Sequence, residues 1–137
     1  MPNKETVKKA KRDLAAGKRP TTAAGEFVRE EIDHVREGQH GARSTKQAIA
    51  IGLSKARRAG VPLRPPAPGR TSERTRRSAE RDLATGEGRR KPRAPSQRRS
   101  RSTERALKRE GRQAGSHTAL SRQAKRASRA RSRARSK

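Results

Sequence analysis

Bulky apolar side chains are scarce in this chain, and their distribution limits which part of it can form a packed core. Only 26% of the 137 residues are hydrophobic, and many of these are alanine. Most of the larger ones lie in one segment of the first half: Phe27, Val28, Ile32, Val35, Ile49, Ile51, Leu53, Val61 and Leu63. A segment of about 40 residues is near the lower size limit for unaided folding. The sequence therefore predicts one small core, within the first half.

The periodicity of these residues predicts a mainly α fold, with a small helical hairpin or three-helix unit in residues 1–63. The expected helices cover residues 4–16, 21–38 and 44–60. Ser44 and Gln47 have the spacing of a capping box, and Asn3 is a candidate N-cap. Gly52 allows the second and third helices to approach closely. A proline-rich linker is expected at residues 64–71.

The rest of the chain, residues 72–137, has almost no bulky apolar residue and a large excess of positive charge. The whole chain has 39 Lys and Arg against 13 Asp and Glu, a formal charge of +26. High charge with low hydrophobicity is typical of disordered segments, because burial cannot offset the chain entropy. We therefore expect a long, largely disordered basic C-terminal region.

An internal similarity links the two halves. AKRDLAAG at residues 10–17 recurs as AERDLATG at 79–86, and Arg36-Glu37-Gly38 recurs as Arg109-Glu110-Gly111. The offsets are similar but unequal, which indicates a degenerate repeat of the first half. Chance similarity in a chain rich in arginine and alanine is the alternative interpretation.

Residues 26–61 resemble a family of small, basic bacterial and phage proteins known as domain of unknown function 6496. The signature is the run from Ser44 to Gly60, with its KQAIAI core and ARRAG end. Some members of that family are labelled DNA-binding or plasmid stabilisation proteins. The resemblance implies no catalytic residue and no mechanism.

The charge predicts a polyanionic partner, because like charges at this density repel one another until they are neutralised. We expect a non-enzymatic, low-specificity nucleic-acid-binding protein, nucleoid-associated or DNA-coating, with duplex DNA preferred. The alternatives are an RNA- or ribosome-associated protein, and a plasmid-maintenance component with a protein partner. One Phe, one Met and no Trp or Tyr disfavour a membrane surface. The expected location is the cytoplasm, at the bacterial nucleoid. No cofactor or small-molecule substrate is expected, and the oligomeric state stays open.

The candidate phosphate-contacting residues form an N-terminal and a C-terminal group. The first group lies in and before the third predicted helix: Arg43, Lys46, Lys55, Arg57 and Arg58. The second comes from the basic region: Arg98, Arg99, Arg101, Lys125, Arg126, Arg129, Arg131, Arg133 and Arg135. A solvated helix surface is the alternative interpretation. Each phosphate contact adds about 0.9 to the slope of log affinity against log salt on duplex DNA.

Other chemistry is less favoured. His34, His40 and His117 lack the thiols and the spacing of a zinc site, so no metal site is predicted. The carboxylates of Glu30, Glu31 and Asp33 are expected to pair with basic side chains, because so small a unit cannot build a catalytic cleft. No catalytic residue is therefore predicted.

Two structured nucleic-acid modules and one modification remain as weaker alternatives. The turn at residues 39–43 is long for a helix-turn-helix. Residues 38–41, Gly-Gln-His-Gly, match the GXXG loop of KH modules, although no strand for a KH sheet is predicted. Serines beside arginine are candidate phosphorylation sites that would weaken binding: Ser100, Ser102, Ser128 and Ser132.

Overall fold

The structure, a computed structural model, describes residues 3–91 and 96–135. These residues form α1 (Lys4–Ala15), α2 (Pro20–Arg36), α3 (Thr45–Arg58), α4 (Glu73–Gly86), α5 (Gln97–Arg109), a short 3-10 helix (Gln113–Gly115) and α6 (His117–Arg135). The described part of the chain contains no β-strand. Within it, no helix is both long enough and apolar enough to span a bilayer.

The three helices predicted in the first half are confirmed, with ends that differ by at most two residues. Asn3 caps α1 by accepting a hydrogen bond from the Glu5 amide at 3.1 Å. Positive φ angles follow each of these helices, at the glycines that the sequence marks as stops: Gly17, Gly38 and Gly60. These ends are set locally, because glycine enters the left-handed region without the Cβ penalty.

The prediction of a long disordered basic C-terminal region is wrong, because α4, α5 and α6 are helices of 14, 13 and 19 residues. Serine side chains cap their starts: Ser72, Ser96 and Ser116 accept from the amides of Thr75, Arg99 and Ala119. Ala79, Ala114 and Gly115 are buried, although none of them is bulky. The prediction counted only large apolar side chains and so missed packing by small residues. Arginine and alanine also have high helix propensity.

The described residues form two compact units. The first contains the described residues up to Glu31 and those from Ala50 to Lys91. Its core is a cluster of buried residues in which Phe27 is the largest. The other members are Ala10, Ala23, Ala24, Ala56 and Val61. The close approach expected at Gly52 is confirmed, because a Cβ there would lie 2.7 Å from the Val28 Cα.

In the same unit, α4 resembles α1 beyond the recurring sequence. The capping residues Asn3 and Ser72 are 69 positions apart, as are the buried alanines Ala10 and Ala79. The residues of the recurring sequence thus occupy matching places in two capped helices. These positions support a degenerate repeat in this part of the chain.

The second unit contains Ile32–Ile49 and the described residues from Ser96 onward. Its buried apolar residues are Ile32, Val35, Ala42, Ala48 and Ala114. Gly115 is also buried, and a Cβ there would lie 3.2 to 3.3 Å from the side chains of Arg36 and Val35. Small residues therefore let the segment before α6 pack closely on the end of α2.

Candidate nucleic-acid interface

Helix α6 has more exposed basic side chains than any other described helix. Its 19 residues include seven basic side chains, all exposed, and no Asp or Glu: Arg122, Lys125, Arg126, Arg129, Arg131, Arg133 and Arg135. Within the described residues, none of the seven forms an ion pair. Their positive charges therefore face solvent without internal neutralisation.

The packing of α6 fixes the direction of most of these side chains. Its half-buried residues are Ala119, Leu120, Gln123 and Ala127, which form one stripe at helical spacing. A helix turns by about 100° per residue. Five cations therefore fall on an arc of roughly 100° opposite Leu120 and Ala127: Arg122, Lys125, Arg126, Arg129 and Arg133. We call these five residues the α6 basic face.

Helix α5 has the same arrangement on a smaller scale. Leu107 is its one half-buried residue, and no residue of α5 is buried. Four arginines lie opposite Leu107 and line an open groove of 640 Å³ together with Gln97 and Ser102: Arg98, Arg101, Arg105 and Arg109. We call these four residues the α5 arginine face. The single acidic residue of α5, Glu104, pairs with Lys108 at 3.7 Å.

Hydrogen bonds fix the segment between α5 and α6 within the second unit. The buried Thr45 hydroxyl donates to the Ala114 carbonyl at 2.6 Å, and the Arg36 Nε donates to the Gly115 carbonyl at 2.7 Å. The Gly41 amide donates to the Leu107 carbonyl at 2.8 Å, at the end of α5. Both basic helices therefore extend from a fixed connection.

The predicted residues near the start of α3 are Arg43 and Lys46, and both are exposed. The predicted cap is present, because Ser44 accepts from the Gln47 amide at 3.1 Å. The Gln47 side chain accepts in turn from the Arg43 amide at 2.6 Å. Two amides at this helix start thus have internal partners, which leaves the two cationic side chains as the groups that face solvent.

The other three predicted residues of α3 make contacts within the first unit. Lys55 is half-buried and pairs with the buried carboxylate of Glu31, as expected for that acid. Arg58 is exposed and pairs with Asp82 at 3.6 Å. These contacts are structural, and they oppose a free phosphate-binding role for either side chain.

Arg57 is buried, with 8% of its surface exposed. Its guanidinium donates to the carbonyls of Leu63 and Arg64 at 3.2 and 3.1 Å. Burial lowers the pKa of Arg57, and the negative charge of Asp82 partly opposes this shift. The side chain thus fixes the chain that follows α3 and is turned away from solvent.

Backbone amides of the loop between α2 and α3 donate hydrogen bonds within the chain, whereas a KH loop would offer them to a nucleic acid. The amides of Gly41 and Ala42 donate to carbonyls of Leu107 and Gly111. The rings of His34 and His40 meet edge to face at 6.0 Å. With no strand in residues 3–91 and 96–135, the GXXG sequence lies outside any KH-like setting.

Three arginines of the two basic faces were missed from sequence: Arg105, Arg109 and Arg122. Each lies at helical spacing from residues that were predicted, such as Arg101 and Arg126. The positions of these arginines relative to Leu107 and Leu120 could have indicated a shared helix face. That inference requires the segment to be helical, and the sequence analysis predicted disorder.

Comparison with known proteins supports the resemblance of the first half. The model of a family described as Family of unknown function (DUF6496) matches residues 4–65. No curated protein and no solved structure was found to match the chain. The matched segment covers α1, α2 and α3 and ends before the two basic faces. Over residues 4–65, the chain is therefore similar to DUF6496, a family of unknown function.

Proposed function

We propose that this chain is a non-enzymatic protein that binds duplex DNA through its phosphates, with low sequence specificity, and that it acts as a DNA-coating protein. The observation that carries the proposal is the α6 basic face: five exposed cations on one side of a helix that has no acidic residue. Its neighbour in sequence, α5, adds four arginines on one side. Cations held in rows suit a regular array of phosphates.

The affinity of such a surface comes from the release of counterions. Each phosphate contact contributes about 0.9 to the salt slope on duplex DNA. If all five cations of the α6 basic face contact phosphates, they contribute a slope of about 4.5. Binding would then weaken steeply between low and physiological salt.

The position of Phe27 favours a duplex over a single strand. Proteins that hold single strands stack the bases on exposed aromatic rings. Phe27 is the only Phe, Trp or Tyr in the chain, and it is fully buried in the first unit. Recognition is thus left to the phosphate backbone, which a duplex presents at the higher charge density.

A charge-matched pair of variants tests the proposal by fluorescence anisotropy on two unrelated duplexes of equal length over a salt series. The first variant, R122Q/K125Q/R126Q/R129Q, removes four charges from the α6 basic face. The second, K4Q/K9Q/K11Q/R12Q, removes four charges from exposed residues of α1. Glutamine preserves helix propensity, and circular dichroism checks the helix content of both variants.

We expect the wild type to bind both duplexes alike, with a steep salt slope. The α6 variant should reduce that slope by about 3.6, because four phosphate contacts are lost. The α1 variant should change it little. Failure of the wild type to bind either duplex at low salt would overturn the function. Equal losses in the two variants would show that net charge, and not this face, determines binding.

A further inference from the structure

The last two turns of α6 differ from the rest of the helix in the exposure of their side chains. All eight residues from Ser128 to Arg135 are exposed, whereas half-buried residues recur up to Ala127. Eight helical residues span about 12 Å. This length matches three to four base pairs of duplex, at about 3.4 Å each.

Four arginines in this segment form two opposed rows. At about 100° per residue, Arg129 and Arg133 lie on one side of the helix. Arg131 and Arg135 lie about 160° away, on nearly the opposite side. The sides between the rows contain only small residues: Ser128, Ala130, Ser132 and Ala134. The segment is therefore a slender helix with cations on two flanks.

The major groove of B-form DNA fits a helix of this shape. The groove is about 12 Å wide and 8.5 Å deep, and its rims are the phosphates of two different strands. A helix with its side chains is about 10 to 12 Å across, and small residues allow it to approach the floor of the groove closely. Two opposed arginine rows can then each reach one rim.

We propose, building on the proposed function, that residues 128–135 enter the major groove of B-form DNA. Arg129 and Arg133 contact the phosphates of one strand, and Arg131 and Arg135 contact those of the other. Serine and alanine read base edges weakly, so this mode of binding is compatible with low sequence specificity. It also selects the partner, because the A-form major groove of duplex RNA is deep and too narrow.

Two double variants test this geometry: R129Q/R133Q and R131Q/R135Q. They remove the same charge from a segment that has no packing role, so the fold provides no reason for them to differ. Anisotropy is measured over a salt series on a DNA duplex and on an RNA duplex of the same sequence. A third probe is a DNA duplex with glucosylated hydroxymethylcytosine, whose sugars occupy the major groove.

We expect both double variants to weaken DNA binding to a similar extent, each lowering the salt slope by about 1.8. RNA and the glucosylated duplex should bind more weakly than plain DNA. Dependence on one arginine row alone would overturn groove insertion, and so would unchanged binding to the glucosylated duplex. Either result would leave phosphate binding intact, whereas loss of all binding by the wild type would overturn the proposed function itself.

Discussion

At the scale of single residues, Asp82 of α4 makes several polar contacts with α3 in the first unit. Its carboxylate accepts from the Ser54 hydroxyl at 2.7 Å and pairs with Arg58 at 3.6 Å. It also opposes the lowering of the Arg57 pKa by burial. A buried cation is costly unless a compensating charge lies near it. Asp82 therefore stabilises the arginine-rich end of α3 and joins it to α4.

Replacing Asp82 by Asn tests this role, because the amide has the same shape but no charge. We expect Asp82→Asn to lower the free energy of unfolding by about 1 to 3 kcal/mol, the range for weakening hydrogen bonds to charged groups. Urea denaturation measures the change.

The control is Glu80→Gln in the same helix, which removes the same charge from an exposed residue. Glu80 pairs with Arg76 at 3.4 Å, and such surface pairs contribute about 0 to 1 kcal/mol. If the two variants lost equal stability, Asp82 would have no special role.

Among the helices, α3 and α4 meet at their C-terminal ends in a contact that requires glycine. A Cβ at Gly86 would collide with the Arg57 carbonyl oxygen and lie 3.1 Å from the Gly60 nitrogen. Both obstacles are backbone atoms, which cannot rotate away. The two helix ends can thus approach closely only because residue 86 is glycine and has no side chain.

We predict that Gly86→Ala lowers the free energy of unfolding by about 1 to 3 kcal/mol, because the helices must separate to admit the methyl group. Thermal and urea denaturation both report this change.

Gly25, inside α2, provides the matched comparison, since nothing lies within 4 Å of a Cβ there. Gly25→Ala should raise stability by about 0.5 to 1 kcal/mol, the usual gain in a helix interior. Stabilisation by Gly86→Ala would contradict the close packing of these ends.

For the whole molecule, the dominant feature is a formal charge of +26 on 137 residues. Several of the ion pairs between described acids and Lys or Arg are exposed, such as Glu5–Lys8 and Glu104–Lys108. With 13 Asp and Glu for 39 Lys and Arg, the acids are too few to neutralise most of the cations. Their mutual repulsion opposes the folded state and is screened over about 10 Å at 0.1 M salt.

The melting temperature should consequently rise as sodium chloride is increased from low to physiological concentration. At low salt, duplex DNA should raise it further, because a ligand that binds the folded state stabilises it. The DNA effect should shrink as salt increases. The R122Q/K125Q/R126Q/R129Q variant, with four fewer charges, should respond less to both additions. A melting temperature that is independent of salt would contradict the role assigned to repulsion.

The sequence alone determined the features that depend on neighbouring residues. Asn3, Ser44 and the glycines after α1, α2 and α3 mark helix ends through local hydrogen bonds and φ angles, so these helices were predictable. The excess of positive charge also follows directly from the composition. The resemblance of residues 4–65 to DUF6496 was also detectable from sequence, because the signature is a continuous run of residues in the first half.

Only the tertiary structure decided which basic residues face solvent and whether the second half is ordered. Arg57 and Arg58 are adjacent in sequence, yet one is buried and the other is exposed. Helices α4 to α6 pack through residues such as Ala79, Gly86 and Ala114, whose contribution depends on how closely another segment approaches. Hydrophobicity measures what a side chain gains by burial, but it does not report the distance between backbones, and that distance determined the fold of this half.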